Sequence, residues 1–321
     1  MTPVVDLARS GAATELVDAL CAHGHAAVLG HGVGPDVIAE MRTTSREFFL
    51  LPRAEKALVE FDGVGHWRGW QPVMEGSARY GGHERPTELL ERLEQNLCPS
   101  QGGAAASGNR WPTRPTGLRA AWCAYHDAVF ALTARLMTAL ADALGTDDPD
   151  LDAWCGDQWS NLVVNHFPPL DAAPEPDRVR VAPHTDHGGL TVLCADDAPA
   201  DDATADNAPA DNAPGGLEVR DDRGGWSAVG QPDGALLVQA GDLLERWSGG
   251  RLRATPHRVV NPPTGLGEAS RRLSIVYFHQ PRLDFVVVPV TGDRDAYPAV
   301  AAGDHVTSRQ EAYRRGEPSF D

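Results

Sequence analysis

Long apolar runs are missing from this chain of 321 residues: none approaches the ~20 residues that a membrane-spanning helix needs. The opening Met-Thr-Pro-Val-Val-Asp-Leu has no basic region ahead of an apolar one, so no secretion signal is expected. Cysteine is sparse. The five residues Cys21, Cys98, Cys123, Cys155 and Cys194 are scattered, odd in number and never arranged as Cys-x-x-Cys. That argues against a disulfide framework or a thiolate zinc site, and the reducing cytoplasm is the expected location. Lysine is nearly absent: Lys56 is the only one, beside many arginines. We read this as the base composition of a GC-rich genome, not as function. No basic stripe is visible and the net charge is −17, which argues against a nucleic-acid partner.

The length suits one large domain or two small ones, and 42% hydrophobic content is ordinary for a globular chain. Residues 3–7 read as a strand, and 12–24 as a helix ending at Gly24. Residues 26–29 read as a strand, and 36–50 as a second helix ended by Pro52. Residues 57–100 are rich in Gly, Arg and aromatics and are expected to be irregular, either plain surface or the wall of a pocket. A long scaffold helix is expected over 117–145. From about 160 the pattern changes to short β-like runs at 161–167, 178–182, 189–194, 216–220, 235–239, 258–261 and 272–280, followed by a polar helix over 306–316. The spacing predicts a helical region, 1–155, packed on a barrel-like β core, 156–321, as one unit with no linker. Residues 195–214 form four Ala-Asp-rich pentads without a hydrophobic face and read as a disordered insert. A calcium loop is disfavoured there, since the glycine turn and closing glutamate are missing.

Chemistry concentrates in Pro183–Leu193. His184 and Asp186 precede a β-branched run, and on a strand the side chains at i and i+2 share a face. An imidazole and a carboxylate in one cavity need one more histidine to make a facial triad suited to ferrous iron. His257, in Thr-Pro-His-Arg-Val-Val, is the candidate. Arg272 and Ser274 share a face by the same rule. A guanidinium inside a barrel needs a reason, and a carboxylate-bearing ligand held by its planar fork provides one.

In this order and spacing, His184-x-Asp186, His257 and Arg272-x-Ser274 resemble the isopenicillin N synthase-like family of iron(II)/2-oxoglutarate-dependent oxygenases. The likeness extends to Pro-Val-Val-Asp-Leu at the start, to Ala26–Val33, to Asn165-His166-Phe167-Pro168-Pro169, and to the turns at Gly215–Val219, Ala240–Leu244 and Trp247–Gly250. It implies a mainly β fold with helices, a double-stranded β-helix (jelly-roll) core flanked by N-terminal helices. It implies iron held by His184, Asp186 and His257, 2-oxoglutarate anchored by Arg272 and Ser274 with Asn165 on the cosubstrate side, and dioxygen as second substrate. The expected reaction is hydroxylation of an unactivated C–H bond of a small molecule, in specialised metabolism such as antibiotic biosynthesis, by a monomer. One departure stands out: the family's second tyrosine in Asn-Tyr-Tyr-Pro-Pro is here Phe167, so a hydroxyl near the cosubstrate is lost.

The other polar residues near these motifs have plainer roles in prospect. Strand alternation turns His166 away from Asn165 and Phe167; His187 is expected to be structural or near the pocket mouth, and His279 structural. Arg68, Arg79 and Arg85 are candidates to meet an anionic group on the substrate, while Trp67 and Trp70 are expected to pack. Two other functions compete: an oxidase of the isopenicillin N synthase kind, closing a ring or forming a double bond without 2-oxoglutarate, and a binding module that has lost turnover. The intact ligand set argues against the latter.

Overall fold

The computed structural model describes residues 1–62, 68–73, 77–80, 83–86, 88–96, 108–146, 151, 154, 156, 158–170, 172–175, 178–195 and 216–314. The N-terminal part supplies strand β1 (Val4–Asp6), helix α1 (Ala12–His23), β2 (His25–Leu29), α2 (Pro35–Phe49) and the short α3 (Arg53–Lys56). It continues with β3 (Gly69–Gln71), the hairpin β4 (Ser77–Tyr80) and β5 (His83–Pro86), β6 (Glu91–Asn96) and α4 (Leu118–Leu144). Gly24 ends α1 in the left-handed region at φ 72. A Cβ there would also lie 2.0 Å from Thr255 Oγ1, so both backbone and space require glycine.

The C-terminal part supplies β7 (Asn161–Phe167), β8 (Val181–His184), β9 (Leu190–Ala195), β10 (Leu217–Arg220), β11 (Trp226–Ala228), β12 (Leu236–Ala240), β13 (His257–Val259) and β14 (Arg272–Phe278). Strands β7, β14, β9 and β12 are neighbours in the major sheet, and β8, β13, β10 and β11 form a second sheet. The chain thus passes back and forth between two four-stranded sets, which is the winding of a jelly roll. The major sheet is widened by β1 and β2 beside β12, and by β6 and β3 beside β7, to eight strands.

Strand alternation gives the major sheet two unlike faces. Val164, Val192, Leu236, Val238, Ile275 and Tyr277 join one apolar cluster with Trp122, Val129, Leu136 and Leu140 of α4, all buried. The scaffold helix expected over 117–145 therefore covers one face. Asn165, Phe167, Arg272 and Ser274 lie on the other. Register settles this: Asn165 is opposite Ser274, and Phe167 is opposite Arg272.

Three expectations need correction. Residues 57–100 are not irregular throughout: β3 and β6 are strands of the major sheet, and β4 pairs with β5. The sequence Glu-Arg-Leu-Glu-Gln-Asn hid β6 because Glu91, Glu94, Gln95 and Asn96 are all buried, so no polar–apolar alternation exists. The 178–182 and 258–261 runs are displaced, to Val181–His184 and His257–Val259. Gly241–Asp242 is not a bare turn but the start of a short helix, Asp242–Trp247. The pentad insert, apart from Ala195 at the end of β9, lies outside the described residues. Among the described residues, no helix is long and apolar enough to cross a membrane.

Candidate metal centre

His184 is the last residue of β8 and His257 the first of β13, and the two are paired across the second sheet. Their ring centroids are 4.3 Å apart. Each ring is fixed by its Nδ1, which meets a backbone carbonyl two residues upstream: Ala182 O at 2.8 Å and Thr255 O at 3.2 Å. With Nδ1 carrying the proton, Nε2 of each is left as a lone-pair donor facing the other. Asp186 follows between the strands. Its Oδ1 lies 3.8 Å from His184 Nε2 and 3.6 Å from His257 Nε2. One ligand atom from each residue falls within 4.8 Å of the others, and among the described residues this is the only such group of three.

The reason for the convergence differs from the one predicted. His184 and Asp186 do not share a strand face. β8 belongs to the second sheet and β9 to the major one, and Asp186 sits in the corner where the chain crosses. The corner is held from one side by the short helix Asp242–Trp247. Gly241 N donates to Gly189 O (2.7 Å), Asp242 N to Asp186 O (2.7 Å) and Leu243 N to Gly188 O (2.9 Å). A Cβ on Gly241 would stand 2.5 Å from Gly188 O and 2.9 Å from Asp186 O, which explains the glycine sterically.

The donor set fits a divalent cation. Asp186 Oδ2 is buried and accepts no hydrogen bond; a lone buried carboxylate oxygen is costly without a cation beside it. Burial first, then the neighbouring His257 ring, pushes His184 down to about 4, so the ring is neutral as a metal ligand must be. Two imidazoles and one carboxylate make the donor set expected of a non-haem ferrous site.

The cosubstrate candidates line the inner face of β7 and β14. Asn165 Oδ1 is buried and accepts no hydrogen bond, so it is open to a ligand. Arg272 and Ser274 stand opposite Phe167 and Asn165 on the same face. One residue here escaped the sequence reading. Arg180, just before β8, is fully buried (0% exposed), with its guanidinium 5.2 Å from the Phe167 ring centroid. Burial, and next the positive charge of Arg272, lower it to about 10. Only the pair Arg178 and Arg180 at i and i+2 of a β-like run could have drawn attention to it.

The remaining histidines behave as expected. His166 faces the helices: its Nδ1 meets Glu91 Oε1 at 2.9 Å and its ring stacks on Phe49. His279 is buried, bonds Trp154 O through Nε2 at 2.8 Å, and is pushed to about 4 by burial. His187 Nδ1 stands 3.8 Å from Asp242 Oδ2, an ion-pair distance, while His305 Nε2 and Arg309 Nε approach the same carboxylate at 3.2 and 3.1 Å. Burial would raise Asp242, but hydrogen bonding from His187 and His305 and then the Arg309 charge outweigh it and hold the carboxyl well below the usual range. Trp70 packs, with its indole N–H on Glu91. Arg68 donates to Asn96 Oδ1 and is lowered by burial. The Arg79 and Arg85 side chains and all of Trp67 lie outside the described residues.

Comparison with known proteins places this geometry. Residues 158–281 match the 2OG-Fe(II) oxygenase superfamily, and residues 2–114 match the non-haem dioxygenase N-terminal family described from morphine synthesis. Flavanone 3-dioxygenase of Petroselinum crispum is 30% identical over 90% of this chain and 72% of its own. The chain belongs to the 2OG-Fe(II) oxygenase superfamily. Validamycin A dioxygenase of Streptomyces hygroscopicus subsp. limoneus is 29% identical over 96% of this chain and 85% of its own. A flavone synthase of Petroselinum crispum is 31% identical over 82% of this chain, which spans 64% of that longer protein. Among solved structures, a full-length Neurospora crassa protein in complex with alpha-KG and thymine superposes with a TM-score of 0.81 at 22% identity, covering 97% of each chain. The protein is an Fe(II)- and 2-oxoglutarate-dependent dioxygenase, and the oxidase that dispenses with 2-oxoglutarate is not favoured.

Proposed function

We propose that His184, Asp186 and His257 hold one Fe(II), that Arg272 and Ser274 receive the far carboxylate of 2-oxoglutarate with Asn165 beside it, and that the enzyme hydroxylates an unactivated C–H bond of a specialised metabolite. The observation that carries the reading is Asp186, whose Oδ1 lies 3.8 and 3.6 Å from Nε2 of His184 and His257 and whose Oδ2 is buried without a hydrogen bond. When bound, the iron supplies the oxidising chemistry together with 2-oxoglutarate and dioxygen. The chain's own residues bind and orient. Ala182 O and Thr255 O fix the two imidazoles in the tautomer that exposes Nε2. The Asp242–Trp247 helix start fixes the Asp186 corner. The Arg272 fork matches a carboxylate bidentately, and the Ser274 hydroxyl on the same face adds a donor.

A small-molecule substrate, antibiotic-related metabolism among its settings, is supported by the validamycin relative, whose name is that of a small-molecule dioxygenase. The charge of −17 supports the reading that nucleic acid is not the partner, and the scattered cysteines support a cytoplasmic location. Residues 1–155 and 156–321 act as one unit in this reading, supported by the pairing of β2 with β12 and of β6 with β7. The test is anaerobic reconstitution with Fe(II) and 2-oxoglutarate. A weak charge-transfer band in the visible, followed by succinate on admitting air, is expected. The absence of both band and succinate at saturating cosubstrate would overturn the proposal.

A further inference from the structure

We propose that His305 and Arg309, on the helix Ala302–Arg314, are positioning residues for Asp186, and that they act on it through the Asp242 carboxylate. This rests on the reading that Asp186 is a metal ligand.

Ala302, His305 and Val306 are buried and Arg309 is half-buried, a spacing that puts all four on one face of the helix. A histidine and an arginine on the inward face of a polar helix need a reason, and Asp242 provides it. His305 Nε2 donates to Asp242 Oδ2 at 3.2 Å, and Arg309 Nε meets the same oxygen at 3.1 Å. Asp242 is buried and is the first residue of the short helix Asp242–Trp247. Its backbone N donates to Asp186 O at 2.7 Å while its carboxylate takes the two side chains. One residue therefore joins the ligand corner to a helix far along the chain. The rest of the short helix holds the segment that leads there. Val290 N donates to Trp247 O, Tyr297 Oη to Glu245 Oε1, and Arg246 Nη2 to Pro298 O, each at 2.8 Å. The helix start is fixed in turn by Ala302 N on Phe285 O at 2.9 Å and Gly303 N on Leu283 O at 2.8 Å.

The coupling follows from the cost of a buried charge. A buried carboxylate is stable only with donors and counter-charge beside it. With His305 and Arg309 in place, the Asp242 side chain stays inward and its N–H stays aimed at Asp186 O. Without them, the carboxylate is drawn toward solvent, and turning it outward rotates the first peptide of the short helix. The hydrogen bond to Asp186 O is then lost. Asp186 lies between β8 and β9, outside both strands, so no strand ladder replaces that bond. The neighbouring bonds from Gly241 N and Leu243 N hold Gly189 and Gly188, not the ligand itself. His187, the residue after the ligand, faces the same Asp242 oxygen at 3.8 Å, so the corner and the distant helix converge on one charge.

The test measures Fe(II) affinity by calorimetry without oxygen, with the stability of the metal-free protein measured beside it by urea unfolding. His305→Leu combined with Arg309→Gln should weaken Fe(II) by at least about tenfold, the lower end for a lost hydrogen bond to a charged group. Arg309→Lys, which keeps a cation, should bind Fe(II) more tightly than Arg309→Gln. In an Asp242→Asn background, the same two substitutions should change the affinity by less than about twofold, because the connection passes through that carboxylate. The parent protein gives a reading that needs no variant to fold. Fe(II) should slow amide hydrogen exchange over residues 305–309 by the factor by which undocking of the helix weakens the metal, since coupling is reciprocal. Variants that lose stability yet bind Fe(II) as the parent does overturn the proposal and leave the contacts structural. Exchange over 305–309 that ignores the metal overturns it too, as does an equal loss in the Asp242→Asn background. Asp186→Ala separates the premise from the inference. Should it weaken Fe(II) while the His305 and Arg309 variants do not, only the helix is misassigned. Should it bind Fe(II) as the parent does, the ligand assignment fails and the proposal fails with it.

Discussion

Replacing the chain's single lysine with methionine tests how the face that carries Asn165 is held in register. Lys56 is 8% exposed and donates to Phe49 O at 3.0 Å and to Glu91 at 2.7 and 3.0 Å. Glu91 also accepts from Trp70 Nε1 at 2.7 Å and meets His166 Nδ1 at 2.9 Å. One carboxylate thus ties α3, β3, β6 and β7 together. Burial works to raise Glu91, yet His166, Lys56 and Trp70 outweigh it and hold the carboxyl below its ordinary value. Lys56→Met leaves that carboxylate buried without its counter-charge. Breaking a buried pair in this way costs about 3–5 kcal/mol. For a chain of this size, that lowers the melting temperature by roughly 4–7 °C. Lys56→Met combined with Glu91→Gln removes the stranded charge as well, so it should recover at least about 1.5 kcal/mol, within the usual coupling range for contacting residues. Urea unfolding followed by circular dichroism gives the four stabilities of the cycle. Because the network lies on the helix side of the sheet, folded Lys56→Met should bind 2-oxoglutarate within about threefold of the parent, well inside one hydrogen bond's worth. A Lys56→Met protein within about 1 kcal/mol of the parent, or strictly additive changes, would refute the reasoning.

Gly241→Ala places a methyl against Gly188 O and Asp186 O, and should weaken Fe(II) binding by at least about tenfold, in line with the 1–3 kcal/mol cost of overpacking; metal titration with unchanged affinity would contradict the clamp. Glu94 is fully buried and burial raises it from the ordinary 4.5 to about 7, with Asn161 donating to it at 2.7 Å. Its folded-state value lies above its unfolded one, so its stabilising contribution is complete below about pH 4.5 and is lost as pH rises through about 7. Glu94→Gln should therefore gain on the parent by about 3 kcal/mol between pH 4.5 and 8, and a pH-independent difference in urea stability would refute this.

The legible and illegible parts of the sequence differ for physical reasons. Helices α1, α2 and α4 were readable because each buries one apolar stripe and two of them end at left-handed glycines, Gly24 and Gly145. The strands of the β core were readable wherever one face is apolar, as in Leu-Thr-Val-Leu and Arg-Leu-Ser-Ile-Val. The candidate triad that the fold brings together was readable from residue type, but the single-strand argument for it was not sound. His184 and Asp186 meet at a crossing between sheets, and period-2 reasoning does not apply across such a corner. β6 was hidden because its buried polar side chains are matched by partners far along the chain, Lys56 and Asn161 among them.

The central claim is that His184, Asp186 and His257 form the iron site, and thermal stability with and without Fe(II), without oxygen, tests it most directly. The parent should gain about 2.7 kcal/mol at a hundredfold excess of metal over its dissociation constant. Asp186→Ala should lose that gain, while its metal-free form is at least as stable as the parent's, because a buried oxygen without a hydrogen bond has been removed. An Asp186→Ala protein stabilised by Fe(II) as much as the parent would contradict the account.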